Sequence, residues 1–162
     1  MLRKNKNLKT KAIGGKFAIV ASRYNARYVD AMLRAASAEL KRAGAASVEI
    51  VRVPGAYEIP VVAARLARTR ETTISAIICL GVILRGQTVH AEHIGRAVSD
   101  ALMEIQVRHE VPVIHEVLLL ENEQQAKERC LSRKHNRGME AAQTALEMAR
   151  VMKSLPDDEI PF

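Results

Sequence analysis

The feature that most constrains the fold is a regular alternation of buried-strand patterns with amphipathic-helix patterns. Apolar and β-branched runs at residues 16–21, 47–53, 73–82 and 113–120 have the length and composition of strands. Apolar residues recur at helical spacing in residues 28–43, 58–69, 91–108, 123–130 and 136–153. Successive strands that are joined by single helices pair in parallel, with the helices packed on the faces of the sheet.

We therefore predict an α/β fold: a flavodoxin-like, three-layer α/β/α sandwich with a four-stranded parallel sheet. The 162 residues suit one domain, and no internal repeat is visible. The domain is expected to span residues 16–155. A basic arm precedes it at residues 1–15, and a tail that is either disordered or packed on a partner follows it at residues 156–162.

The formal net charge of +7 invites a nucleic-acid partner, so its distribution matters. Residues 1–16 carry six of the 25 basic residues and no acid, which leaves 19 basic against 18 acidic residues in the rest. The predicted domain is therefore almost neutral. Nucleic-acid binding through the arm remains an alternative function, but no recognition motif accompanies the charge, and aromatic residues make up only 3%.

Other classes of protein do not fit the sequence. No apolar run approaches the roughly 20 residues of a membrane-spanning helix, and no signal-peptide pattern follows the basic N-terminus. Cys79 and Cys130 are the two cysteines, which excludes a disulfide scaffold, and the usual zinc motifs are missing. We expect a cytoplasmic protein without a membrane partner, a metal or reactive thiols.

Chemically versatile residues follow the predicted strands. Tyr24 and Asn25 follow the first, Tyr57 and Glu58 the second, and residues 85–90 the third. Ligands of parallel sheets bind beyond these carboxyl ends. Two of the chain's five aromatic residues lie here. Either their rings hold a flat ligand, or they cap the edge of the core with their hydroxyls in water.

Several of these residues have the chemistry of an anion site. The segment 86–88 precedes a helix, where free N–H groups bind anions, although an ordinary helix cap has the same pattern. His90 is a candidate proton carrier. Arg129 and Arg137 flank a polar bend and either hold a phosphate or belong to a solvated run of charge. We expect only structural roles for His93, His109 and His135.

Taken together, the motifs resemble those of the 6,7-dimethyl-8-ribityllumazine synthase family. The most specific is the block Val-Pro-Gly-Ala-Tyr-Glu-Ile-Pro at residues 53–60. Further matches occur at residues 19–25, 81–90, 112–114 and 136–142, so that the resemblance runs from about Phe17 to Met152. It implies condensation of 5-amino-6-(D-ribitylamino)uracil with 3,4-dihydroxy-2-butanone 4-phosphate, without a cofactor. The products would be the lumazine, phosphate and water.

The resemblance also assigns roles to individual positions. His90 matches the proton-transfer residue, and Arg129 matches the arginine that holds the substrate phosphate. The other matched positions bind substrate: Tyr24 by stacking on the pyrimidine, Asn25, Ala56, Tyr57 and Glu58 on the ring and ribityl chain, Val82 and Ile83 through their backbone, Gln87 and Thr88 in the phosphate turn, His115 from a neighbouring subunit, and Arg137 in place of a lysine.

The sequence departs from the family pattern at some of these positions. His115 stands where the family commonly has Phe, Tyr24 where it has Phe or Trp, and the segment 91–93 lacks its usual aromatic residues. We still expect an active synthase with altered affinity for the pyrimidine. The alternative is a non-catalytic paralogue that binds lumazine or flavin or forms a cage.

Family members assemble as homopentamers, and in some cases twelve pentamers form an icosahedral capsid of 60 subunits, with active sites shared between neighbours. The resemblance therefore implies at least a pentamer here, with pentamer and capsid left as open alternatives. It also makes riboflavin synthase a candidate partner.

Overall fold

A computed structural model describes residues 14–69 and 71–157 of the chain. Its sheet contains four strands: β1 (Lys16–Ser22), β2 (Ser47–Val53), β3 (Ala76–Leu84) and β4 (Val113–Leu120). All neighbouring strands pair in parallel, in the order β2-β1-β3-β4. The predicted four-stranded parallel sheet is confirmed.

The helices lie on both faces of this sheet. They are α1 (Ala26–Arg42), α2 (Ile59–Arg68), α3 (His90–His109), α4 (Glu123–Ala126) and α5 (Arg137–Ser154). A 3₁₀ turn (Ala56–Glu58) precedes α2, and a π-helical turn (Lys127–Leu131) continues α4.

Alternate residues of the buried strands separate the core into two halves. Phe17 and Ile19 of β1 pack with residues of α1 and α5, whereas Ala18 and Val20 pack with residues of α2 and α3. Side chains of a strand point to opposite faces in turn, so a strand that is apolar throughout must be covered on both sides. The three-layer α/β/α sandwich follows from this and agrees with the predicted fold.

The boundaries of β3 differ from the prediction of residues 73–82. Ile74 packs against the α2–α3 half of the core from outside the strand, so its apolar character reflects packing rather than pairing. At the other end β3 continues to Leu84, because Ile83 and Leu84 pair with Leu119 and Leu120 of β4. The strand therefore ends two residues later than the sequence pattern indicates.

The predicted arm and tail fall almost entirely outside the described residues. Of the arm, only residues 14 and 15 are described, and of the tail, only residues 156 and 157. In the part of the chain that is described, no helix is both long enough and apolar enough to cross a membrane.

Helices α1 and α5 are in close backbone contact at Gly138. A Cβ atom at this position would lie 2.0 Å from the backbone oxygen of Met32, far inside any permitted contact. The Gly138 N–H also donates a 2.8 Å hydrogen bond to Oδ1 of Asn136, the residue that caps α5. A side chain at 138 would therefore force the two helices apart.

We expect Gly138→Ala to destabilise the protein by about 3 kcal/mol, because neither helix backbone can yield without disturbing the core. Thermal unfolding followed by circular dichroism measures the loss. Gly95→Ala is the matched control, since its Cβ would meet only Leu119 at 3.6 Å and alanine favours a helix interior. Equal melting temperatures for Gly138→Ala and the unsubstituted protein would contradict the proposed close packing.

Candidate active site

A cavity of about 1040 Å³ opens at the carboxyl ends of the strands. This is the edge at which ligands bind to open parallel sheets, and the volume accommodates two small substrates together. Its walls come from the loops after β1 and β2, the end of β3, and the first turns of α3. The lining residues are Tyr24, Asn25, Gly55, Ala56, Tyr57, Glu58, Val82, Ile83, Leu84, Gly86, Thr88, His90, Ala91, His93, Ile94 and Ala97.

The cavity brings together most of the residues that the sequence singles out. Tyr24, Asn25, Ala56, Tyr57, Glu58, Val82, Ile83, Thr88 and His90 all line it. Gln87, His115, Arg129 and Arg137 are absent from its walls. Gln87 is exposed in the loop before α3. The other three lie on β4, the π-helical turn and α5, elements that supply no residue to the walls.

Tyr24 and Tyr57 stand out from the protein with 74% and 64% of their surface exposed. Residues as exposed as these cover little of the core, which disfavours the interpretation that they cap its edge. An aromatic ring that is left in water at the mouth of a cavity provides a flat apolar surface for a ligand.

The loop after β1 is fixed by Asn25. Its backbone is left-handed, with φ of 56°, a conformation that asparagine tolerates better than most residues. Its side-chain Nδ2 donates a 2.7 Å hydrogen bond to the Val82 carbonyl of β3. Tyr24 is thereby held beside the end of β3, and the N–H of Tyr24 donates to the Pro54 carbonyl of the next loop at 3.0 Å.

The end of β3 presents backbone groups to the cavity because β1 stops short of it. Pairing with β1 ends at Leu80, whereas pairing with β4 continues to Leu84. The bond from Asn25 shows that the Val82 carbonyl points to the side vacated by β1. Successive strand residues turn their backbone groups to opposite edges, so the backbone groups of Ile83 face β4. Ile83 is also a lining residue of the cavity.

Glu58 lies at the N-terminus of α2, where a hydrogen bond within its own loop holds its side chain. One of its carboxylate oxygens accepts a 2.9 Å hydrogen bond from the Gly55 N–H. This leaves the second oxygen of an exposed carboxylate free at the cavity wall. The group can therefore accept hydrogen bonds from hydroxyl or amine groups of a ligand.

The first turn of α3 contributes His90 and Thr88. The Thr88 hydroxyl accepts a long hydrogen bond, 3.4 Å, from the His90 N–H, so the segment 86–88 caps the helix only weakly. N–H groups of the first helical turn lack helical partners and favour an anion. The imidazole of His90 makes no hydrogen bond within residues 14–69 and 71–157 and is free for a ligand.

His93 is a lining residue that the sequence analysis left as structural. It lies three positions after His90 on α3, and residues three apart share one face of a helix. That spacing could have indicated that His93 lies on the same side of α3 as His90.

Glu92, which lies between the two histidines, forms an ion pair with Arg85 and does not line the cavity. Arg85 also forms an ion pair with Glu121 at 3.0 Å.

His115 forms a polar pair with Ser99 outside the cavity. Its Nδ1 accepts a hydrogen bond from the Val117 N–H at 3.2 Å, so in the neutral ring Nε2 carries the proton. Nε2 then donates to the Ser99 hydroxyl at 2.7 Å, and that hydroxyl donates to the Gly95 carbonyl. Desolvation by the surrounding protein lowers the pKa of His115, which also favours the neutral ring.

The two arginines of the polar bend differ in their surroundings. Arg137 pairs with Glu116 at 3.1 Å and with Glu140 at 3.0 Å, so it does not belong to a solvated run of charge. Arg129 is exposed and makes no hydrogen bond or ion pair within the described part of the chain. The sequence analysis missed Glu116, although an acid inside a buried strand was the signal.

The cysteines are unsuited to nucleophilic chemistry. Both are free and buried. Burial raises the pKa of Cys79 to about 12 and that of Cys130 to about 11, so neither forms the nucleophilic thiolate near neutral pH. No group of three or more His, Cys, Asp or Glu residues in the described ranges is arranged to hold a metal ion.

Comparison with known proteins now identifies the family. The model of the family described as 6,7-dimethyl-8-ribityllumazine synthase matches residues 14–153. A protein of that name from Stenotrophomonas maltophilia (strain R551-3) is 41% identical over 87% of this chain and 91% of its own length. The chain belongs to the 6,7-dimethyl-8-ribityllumazine synthase family.

Other lumazine synthases show the same extent of similarity. The protein from Xanthomonas oryzae pv. oryzae (strain PXO99A) is 40% identical over 87% of this chain and 92% of its own length. That from Xylella fastidiosa (strain 9a5c) is 41% identical over 88% and 93% respectively. The resemblance found in the sequence motifs is confirmed, since the family model covers residues 16–153 of the predicted domain.

We expect Asn25→Ala to destabilise this lumazine synthase family member by about 2 kcal/mol, from the lost bond to Val82 and the strain of alanine at positive φ. Asn25→Gly removes the same bond without the strain, so about 1 kcal/mol is expected. Denaturant unfolding measures both. If the two variants were as stable as the parent, the hydrogen bond would not be holding the loop.

Proposed function

We propose that this enzyme condenses 5-amino-6-(D-ribitylamino)uracil with 3,4-dihydroxy-2-butanone 4-phosphate in riboflavin biosynthesis. The products are 6,7-dimethyl-8-ribityllumazine, phosphate and water. Membership of the lumazine synthase family over residues 14–153 supports this activity. The structural observation that carries the proposal is the single cavity in which two exposed tyrosines, Glu58 and His90 meet.

The pyrimidine would lie against the tyrosines. Tyr24 offers its exposed ring for stacking, and the free edge of β3 at Val82 offers backbone groups to the heterocycle. The Glu58 carboxylate is placed to accept hydrogen bonds from the ribityl hydroxyls. These assignments agree with the matched positions of the family motifs, in which Asn25, Ala56, Tyr57 and Ile83 also take part.

The phosphate-bearing substrate would lie at the start of α3. Residues 86–88 and the first turn of the helix supply N–H groups and the Thr88 hydroxyl to an anion. The amine of the pyrimidine attacks the ketone of the second substrate with loss of water to give a Schiff base. Phosphate then leaves, and the second nitrogen attacks the remaining carbonyl carbon and closes the ring with loss of a second water. His90 carries protons during imine formation and elimination.

Much of the acceleration would come from holding two reactants together. A bimolecular condensation becomes effectively unimolecular when both partners are fixed in one cavity. The steps exchange water, protons and phosphate, and the proposed chemistry needs no added redox cofactor.

We also propose that each active site is completed by a neighbouring subunit. His115, Arg129 and Arg137 match site positions of the family, yet in this chain they lie away from the cavity. A neighbour that presents these residues to the cavity would resolve the difference. The homopentamer and the icosahedral capsid of the family both supply such neighbours. Head-to-tail contacts between identical subunits give such a closed ring when the rotation between neighbours closes.

Further parts of the proposal concern the rest of the chain and its surroundings. Residues 16–155 would form the synthase domain, with residues 1–15 and 156–162 outside it. The two free cysteines fit a reducing compartment such as the cytoplasm. Riboflavin synthase would be a partner because it consumes the product.

We expect His90→Ala to lower kcat by roughly 10²–10⁴-fold, the usual contribution of an acid–base group. The assay mixes purified protein with both substrates and follows the absorbance of the lumazine. His109→Ala serves as the control, because this residue ends α3 away from the cavity. A variant at 90 with the parent's turnover would remove His90 from the mechanism. A parent protein without turnover would favour the non-catalytic paralogue.

Light scattering should give a mass of at least about 90 kDa, five times the 17.9 kDa of one chain. A capsid of sixty chains would give about 1.1 MDa. Measurement over a tenfold range of protein concentration separates a stable assembly from weak association. A mass near that of one chain at all concentrations would exclude a site shared between subunits.

A further inference from the structure

Glu116 is a carboxylic acid in an unusual place. It lies within β4 and is only 7% exposed, and its neighbours Ile114 and Leu118 on the same face belong to the α1–α5 half of the core. A buried carboxylate is costly unless it is paired. Arg137 supplies the partner, because its Nε donates a 3.1 Å hydrogen bond to Oε2 of Glu116.

Arg137 is paired with two acids. Its second hydrogen bond runs from a terminal guanidinium nitrogen to Oε2 of Glu140 at 3.0 Å. The three side chains together carry a formal charge of −1 when both acids are ionised. An anion that approaches Arg137 therefore meets a net negative group rather than a free cation.

Arg129, in contrast to Arg137, has no acidic hydrogen-bond partner among the described residues. It projects from the π-helical turn, is exposed, and has no hydrogen bond or ion pair to any residue that the structure describes. Burial raises the pKa of Glu116, while the charges of Arg137 and, less strongly, Arg129 oppose that rise. Arg129 is thus close enough to Glu116 for its positive charge to act on that carboxyl group.

We propose that Glu116 is a positioning residue that sets the anion affinity of the bend between the π-helical turn and α5. It keeps the Arg137 guanidinium paired with acids, so that of the two arginines only Arg129 binds the phosphate group of the substrate. The inference rests on the proposed function for the identity of that substrate. It concerns the role of Glu116, which neither the motifs nor the comparisons address.

Neutralising Glu116 changes the charge around Arg137 and Arg129, an effect that a merely structural role for Glu116 would not produce. Glu116→Gln keeps the size of the side chain but changes the formal charge of Glu116, Arg129, Arg137 and Glu140 from zero to +1. Arg137 then has one charged partner instead of two and becomes available to an anion. Removing an acid from the core should therefore tighten the binding of phosphate.

Isothermal titration of the full-length protein with inorganic phosphate, at low salt and fixed pH, measures this directly. We expect Glu116→Gln to lower the Kd for phosphate by roughly three- to tenfold, and Arg129→Met to raise it by at least about tenfold. Arg137→Met should change it by less than about threefold, since this arginine does not contact the anion. The KM for the butanone phosphate should follow the same order.

Two controls separate the proposed mechanism from general effects. Glu104→Gln makes the same change in net charge at an exposed pair with Arg108, and it should leave the Kd unchanged. In the double variant Glu116→Gln, Arg137→Met, the Kd should return to that of Arg137→Met alone if Glu116 acts through Arg137. A melting curve by circular dichroism shows that each variant is folded.

Folded Glu116→Gln with unchanged or weaker phosphate binding would overturn the proposal. So would an equal loss of binding in Arg137→Met and Arg129→Met, a comparison that stays decisive if Glu116→Gln fails to fold. Absence of phosphate binding by the parent would also overturn it. A parent that binds phosphate in the expected order of variants but shows no turnover would contradict the proposed function alone.

Discussion

The site depends on a difference in length between two neighbouring strands. β3 is paired with β1 only as far as Leu80, but it continues along β4 for four more residues. Residues 81–84 of β3, the overhang, therefore have no strand along one backbone edge. The Asn25 side chain covers part of that edge through its hydrogen bond to the Val82 carbonyl. A fully paired sheet would bury these polar groups in its own ladder, whereas here they form the floor of a cavity.

The surroundings of the overhang are fixed by charge as well as by hydrogen bonds. Arg85 follows directly after β3 and binds Glu92 of α3 and Glu121 after β4. One guanidinium therefore joins the ends of two strands and the beginning of a helix, the geometry for which its planar fork is suited. The first turn of α3, with His90 and His93, gains a defined position relative to the sheet.

Sequence reasoning was most successful where one local rule determines the result. The uninterrupted apolar run of β1 requires cover on both faces, and this alone predicts the layers of the fold. The end of β3 could not be predicted, because Ile83 and Leu84 belong to the strand only through their pairing with β4. The engagement of Arg137 was equally hidden, since Glu116 is 21 residues away in the chain and meets it only in the folded protein.

The π-helical turn at Lys127–Leu131 makes the direction of its side chains depend on the exact number of residues in this segment. Such a turn contains one residue more than α-helical geometry requires, and it buries Cys130 while leaving Arg129 in solvent. Loss of a single residue here would restore an α-helix and rotate the following side chains by roughly 100°. Evolution of this segment by insertion or deletion is therefore restricted in a way that the polar composition of the bend does not suggest.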